Sequence, residues 1–384
     1  MICAYCDREK PETEMTDEHV LPRKIGGNVH PTNPFLLRNV CKTCNTAAGR
    51  HIDGPFIRSW FIQNHRAKSA GRYLDLNKDP ILPLIYIGEL TETLLSDKVC
   101  DLWLGPTGDT IYHFHNPYHV YQGNDLVIGP PLYLRADDID PGFAFLFVRA
   151  SNPAWHKCIG FSFVENFKES VLYLGNDPTP AVGRFSDIPN ELSDLHEQLR
   201  AMSGQQHRVH ITVGIDFGHR FLAKLALGCG ALFLTPGFLQ SQDATFLRNY
   251  MWSRTIESRL NIPIAGIPFF DQNFRPVVQL LGWPPGHIIF LMPLNGKLFL
   301  CPIFYGETSA VIQVSSEPSF WEGRISRDGA LFVVAPGFRE YVGPISLGEY
   351  LAAREHNPDY VSPLTNLFSR VDNMAPLPPF DLIS

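Results

Sequence analysis

The 384-residue chain has little charge and no long apolar run. Charged residues make up 18% of it, against 45% hydrophobic and 12% aromatic. That balance excludes a highly charged disordered chain and leaves enough apolar surface for one large core or two modest ones; we expect two domains. No stretch approaches the ~18 uninterrupted apolar residues of a membrane span. Met1 leads straight into Cys3 in place of a basic-then-apolar leader, so a soluble, cytoplasmic protein is expected. Internal repeats and low-complexity segments are absent. The glycines of GIDFGHRFLAKLALGCG lie near a strand-to-helix turn but have neither GxGxxG nor P-loop spacing, which leaves a nucleotide site unsupported.

Basic charge is also in short supply. The formal net charge is -7, which taken alone argues against a nucleic-acid protein. Its distribution reverses that for one segment. Residues 1–75 hold 11 Lys/Arg against 8 Asp/Glu, and the remainder 21 against 31, so a mildly basic first fifth precedes an acidic rest.

Eight cysteines are present, four of them paired at short spacing. Cys3-x2-Cys6 and Cys41-x2-Cys44 are separated by 34 residues. In a reducing compartment such pairs are metal ligands before they are disulfides. Each C-x2-C turn aims two sulfurs at one ion, and two turns close a tetrahedral zinc site with no open position for chemistry. A zinc of this kind ties together a segment too short to build its own core. Cys100, Cys158, Cys229 and Cys301 are scattered singly and read as small buried hydrophobes.

Between the two pairs, Glu18-His19 is followed by Val-Leu-Pro and then Gly26-Gly27-Asn28; Asn39 precedes the second pair and Asn45 directly follows it. In this order TDEHVLPRKIGG, NVCKTC and CNTAAG resemble the HNH endonuclease family, whose ββα-metal motif runs acidic-His, Asn, then Cys-x-x-Cys followed by His or Asn. The resemblance covers about residues 1–55. Glu18 stands where Asp is common, and Asn45 where many members have His. It implies an N-terminal ββα-metal domain, with His19 as general base, Glu18 and Asn45 as ligands of a catalytic Mg²⁺ or Mn²⁺, and Asn39 bracing the loop that orients His19. The residue chemistry agrees: an imidazole titrating near neutrality suits proton abstraction from water, and carboxylate and amide oxygens are hard ligands. Taken singly, Glu18 reads equally as a surface acid and Asn45 as a helix cap.

The resemblance also implies DNA as substrate and a setting in defence against foreign DNA. Arg50, Arg23 and Lys24 are the candidate phosphate contacts. No base-reading element is recognisable. A homodimer would bring two such sites to opposite strands. The alternative is a non-catalytic zinc-knuckle protein that binds nucleic acid or regulates through a partner.

Residues 53–73 read as one helix, with Pro55 in its first turn and Phe56, Trp60 and Phe61 on one face. Two prolines at residues 80 and 83 suggest a linker over 76–84. The expected organisation is a nuclease domain at 1–75 and a larger α+β domain at 85–384 for regulation, sensing or oligomerisation, responding to an activating ligand or protein partner. In that part VCDLWLG, DTIYHFH, FAFLFVRAS, CIGFSFV, SVLYLG, RVHITVGIDFG, HIIFLMPL, KLFLCPIFYG, AVIQVSS and ALFVVAPG read as strands, and HRFLAKLALGCGALFL and DATFLRNYMWSRTIESRL as helices. HFHNPYH offers His113, His115 and His119 as metal ligands, with no acidic residue close by in sequence.

Overall fold

A computed structural model of the chain describes residues 1–28, 33–57, 59–73, 83–105, 108–116, 120–122, 125–127, 142–149, 153–176, 185–211, 216–253, 264–265, 274–355 and 362–373. The class is mixed α+β. Contacts group Met1–Ile57 with Ile215–Met374 in one compact unit, and Arg58–Gly214 forms the body of a second. Most of the expected 76–84 linker lies outside the described residues. The contact boundary falls earlier, and the knuckle segment shares a unit with the C-terminal elements.

In the first unit β1 (Met15–His19) and β2 (Leu36–Cys41) pair antiparallel. Helix α1 (Lys42–Ala48) starts at the second cysteine pair. A π-helical segment, Gly49–Asp53, continues into α2 (Gly54–Ile57). The chain then enters the second unit with α3 (Trp60–Tyr73). The single helix expected over 53–73 is therefore two. Phe56 stacks on Phe221 with ring centroids 3.8 Å apart, whereas the Trp60 indole donates to the Tyr86 carbonyl at 3.0 Å in the other core. One helical periodicity runs through residues that serve two cores.

The second unit is a six-stranded sheet. Its strands are β3 (Ile85–Leu90), β4 (Val99–Leu104), β5 (Thr110–His115), β8 (Phe143–Phe147), β9 (Val171–Leu174) and β10 (Val209–His210), in the order β10-β3-β4-β5-β8-β9. A separate ribbon, β6 (Val120–Gln122) with β7 (Asp125–Val127), lies between β5 and β8 in the chain. Helices α4 (Pro153–Asn166) and α5 (Ser193–Met202) complete it. Trp103, Ile111 and Leu146 pack with Phe163 of α4, while Tyr112, Phe114 and Phe145 pack with Leu199 of α5. CIGFSFV, expected as a strand, is the middle of α4. Strands β8 and β9 run parallel, so a crossover has to join them. Short apolar runs do not separate buried helix from buried strand.

The chain returns to the first unit with α6 (Asp216–Phe233) and α7 (Gln242–Met251). A seven-stranded sheet follows, in the order β11-β15-β13-β12-β16-β17 with β14 paired to β13. Its strands are β11 (Ile264–Ala265), β12 (His287–Leu294), β13 (Lys297–Phe304), β14 (Thr308–Ser309), β15 (Val311–Ser315), β16 (Ala330–Ala335) and β17 (Glu340–Ile345). Helix α8 (Arg275–Leu281) lies between β11 and β12 in the chain, and α9 (Leu347–Arg354) and α10 (Pro363–Asp372) follow the sheet. Helix α6 lies tightly on the hairpin: a Cβ added at Gly228 would stand 2.5 Å from the Val20 side chain. Cys100, Cys158, Cys229 and Cys301 are all buried thiols. No described helix is long and apolar enough to cross a membrane.

Candidate metal centre

Two short turns carry the first cysteine pair. The Asp7 amide bonds the Cys3 carbonyl at 2.8 Å, and Asp7 takes a positive φ of 55° to close the knuckle. The second pair sits where β2 becomes α1. An amide bond from Ala4 to the Asn39 carbonyl, 2.8 Å, joins the two turns. As a result one sulfur each from Cys3, Cys6, Cys41 and Cys44 lies within 4.8 Å of every other. The Cys41 amide donates to the Cys3 sulfur at 3.3 Å. The Cys44 thiol, followed by backbone amides, draws Cys3 down to about 4 while Cys44 itself is pushed up. Four thiols this crowded share few negative charges among themselves. A Zn²⁺ ion satisfies all four as thiolates, and the donor set fits it.

The knuckle is docked on α7. Arg248 Nε donates to the Ala4 carbonyl at 3.0 Å and the Trp252 indole to the Tyr5 carbonyl at 2.8 Å.

His19 ends β1, half-buried. Its Nδ1 meets the Gly27 carbonyl at 2.5 Å. A carbonyl only accepts, so Nδ1 carries the proton and Nε2 the lone pair. Arg23 Nε donates to that Nε2 at 2.8 Å. Asn33 braces the arrangement: its Nδ2 donates to the same Gly27 carbonyl at 2.6 Å, and its Oδ1 accepts from the Phe35 amide at 2.9 Å. Asn33 thus makes a contact of the kind expected of Asn39. Asn39 lies on β2 and contributes its carbonyl to the knuckle. In sequence Asn33 is followed by Pro34 and reads as an ordinary turn; its distance from Cys41 was the signal available.

Glu18 is buried, at 3% exposure. Its Oε1 takes the Lys224 ammonium at 2.6 Å and the Tyr5 hydroxyl at 3.1 Å. Among the described residues Oε2 has no recorded partner. Lys224, on α6 and fully buried, also reaches Asp53 Oδ2 at 2.9 Å. Burial alone would lower Lys224, but Asp53 and then Glu18 raise it, so it is charged. Burial pushes Asp53 up to about 6 against the pull of Lys224. Neither Lys224 nor Asp53 was among the residues expected at the site.

Asn45, in α1, donates through Nδ2 to Thr16 Oγ1 and to the Asp17 carbonyl, both at 3.0 Å. Those two bonds fix the amide's orientation and leave Oδ1 as the acceptor on offer. Glu18 Oε2 and Asn45 Oδ1, the oxygens that the resemblance assigns to a divalent ion, are hard donors; Lys224 and Tyr5 hold the other Glu18 oxygen and Thr16 the Asn45 amide nitrogen. Arg23, Lys24 and Arg50 are exposed, and only Arg23 has a contact with the site.

Residues 3–61 match the family described as HNH endonuclease. The match takes in both cysteine pairs, β1, β2 and α1 and supports a nuclease-type function for this segment. No curated protein and no solved structure matches the chain.

Proposed function

We propose that the protein is a divalent-metal-dependent endonuclease that hydrolyses DNA phosphodiester bonds, with His19 as general base. The observation that carries this is the His19 tautomer: the Gly27 carbonyl accepts from Nδ1 and Arg23 donates to Nε2, so Nε2 holds the lone pair that can take a proton from water. Arg23, which covers Nε2, gives it up to the incoming phosphate, whose charge suits a guanidinium better than imidazole does. Glu18 Oε2 and Asn45 Oδ1 are the oxygens that would hold Mg²⁺ or Mn²⁺. Once bound, the ion supplies charge neutralisation at the phosphoryl oxygens and at the departing 3′ oxygen. Lys24 and Arg50 provide backbone contacts that carry no sequence preference. Defence against foreign DNA, a homodimer cutting both strands, and an activating ligand or partner acting on the acidic remainder belong to the same proposal, with the family resemblance and the charge distribution as their support.

A second reading has one observation in its favour. The Lys224 ammonium already sits on Glu18 Oε1, as it would in a zinc-knuckle protein that binds nucleic acid without cutting. Incubating the full chain with supercoiled plasmid in Mg²⁺ or Mn²⁺ separates the two. Metal-dependent nicking is the expected result; retention of plasmid in a gel shift with no nicking in either metal supports the second reading.

A further inference from the structure

The second unit buries a polar group that the nuclease reading does not use. Asp101 on β4 pairs directly opposite His113 on β5, and Val99 opposite His115. Directly paired residues share a sheet face, as do residues two apart on one strand, so Asp101, His113 and His115 project together. All three are buried, at 1%, 6% and 1% exposure. One ligand atom from each lies within 4.8 Å of the other two. The acidic partner missing beside HFHNPYH in sequence is thus supplied by the neighbouring strand, whereas His119 lies outside the described residues.

We infer that Asp101, His113 and His115 bind a divalent first-row metal ion of the Zn²⁺ class. Hydrogen-bond accounting points there. His115 Nδ1 is 2.8 Å from the Asn116 carbonyl, which can only accept, so Nδ1 carries a proton. Its Nε2 then faces Asp101 Oδ2 at 2.9 Å. Two lone pairs do not meet at that distance without a cation between them, either a second proton or a metal ion. Three features favour the metal. First, the outward ring nitrogen of His115 bonded to a carbonyl is the arrangement in which a histidine ligates through its other nitrogen; His113 Nε2 is engaged by Ser170 Oγ at 3.1 Å. Second, Asp101 Oδ1 is held by the Tyr86 hydroxyl at 3.1 Å, as ligating carboxylates are held from behind. Third, ligands bound at about 2.0–2.2 Å to one tetrahedral zinc stand roughly 3.3–3.6 Å apart, so the His115–Asp101 pair, at 2.9 Å, has only to open slightly to take the ion.

Two imidazoles with one carboxylate suit zinc, iron or copper rather than Mg²⁺. The row leads outward: Glu89 on β3 pairs opposite Asp101, and exposed His210 on β10 pairs opposite Glu89. Glu89 is half-buried and pushed up first by burial and then by Asp101, which places a further oxygen donor on the path to solvent.

This site stands apart from the cysteine knuckle and does not depend on the nuclease reading. The test is zinc stoichiometry of the full chain, equilibrated with buffered Zn²⁺ and excess Mg²⁺ and analysed by elemental mass spectrometry. Two zinc ions per chain are expected, falling to one in Asp101→Asn and in His115→Gln. One zinc per chain in the wild type, or two retained in both variants, overturns the inference. If the variants do not fold, zinc-edge X-ray absorption of the wild type decides: sulfur and imidazole scattering together are expected, and a sulfur-only shell overturns it.

Discussion

Replacing Lys224 with Met tests how the hairpin is tied to α6. The ammonium lies 2.6 Å from Glu18 and 2.9 Å from Asp53, and all three residues are buried. Removing it leaves two buried carboxylates facing each other with no cation. Stripping one partner from a buried pair costs about 3–5 kcal/mol, and the two acids here place the expected loss in the upper part of that range at pH 7.5. The loss shrinks under acid. Burial already holds Asp53 up at about 6 with Lys224 present; without the ammonium Asp53 rises further. A carboxyl whose folded pKa is raised takes up a proton on folding, so stability increases as pH falls through that value. Urea unfolding of Lys224→Met at pH 7.5 and pH 5 should therefore show a large deficit at the first and a smaller one at the second. Lys224→Met/Asp53→Asn should recover part of it at pH 7.5. A deficit below about 1 kcal/mol at pH 7.5, or an equal deficit at both pH values, refutes the reasoning.

Other outcomes follow from single contacts. His287 is fully buried on β12 and burial lowers it to about 3, so the unfolded chain gains a proton below pH 6.5 that the folded chain refuses. Relative to His287→Phe, the wild type should lose about 2 kcal/mol between pH 6.5 and pH 5 by urea unfolding; parallel curves would contradict this. Asn33→Ala should slow plasmid nicking about 10–100-fold with the fold intact by circular dichroism, and Asn39→Ala should leave the rate within a few-fold; the reverse order would return the bracing role to Asn39. Cys41→Ser should lose the knuckle zinc and lower the unfolding midpoint, whereas normal zinc content and stability would remove the thiolate site.

What could be read from the sequence was local. The cysteine pairs, the Glu18-His19 dipeptide and Asn45 fall within short spacings that a motif captures, and β12, β13, β15 and β16 announce themselves as apolar runs. What escaped depends on contacts between distant residues. Lys224 reaches Glu18 and Asp53 across about half of the chain, and nothing in HRFLAKLALGCG marks it as different from any lysine on a helix. Asp101 and His113 meet only because β4 and β5 pair in one register. Asn33 meets the Gly27 carbonyl six residues back in the chain, a contact that no motif spacing marks. The break after Ile57 and the helix at Pro153–Asn166 eluded periodicity because a buried face looks alike whichever core or element it serves.

The central claim is that His19 Nε2 takes the proton from water. Nicking of supercoiled plasmid by wild type and His19→Ala, at equal zinc content and matched Mg²⁺ or Mn²⁺, measures it directly. The wild type should nick in the presence of the metal, and His19→Ala should lose about 100-fold or more. Equal rates in the two proteins would contradict the account.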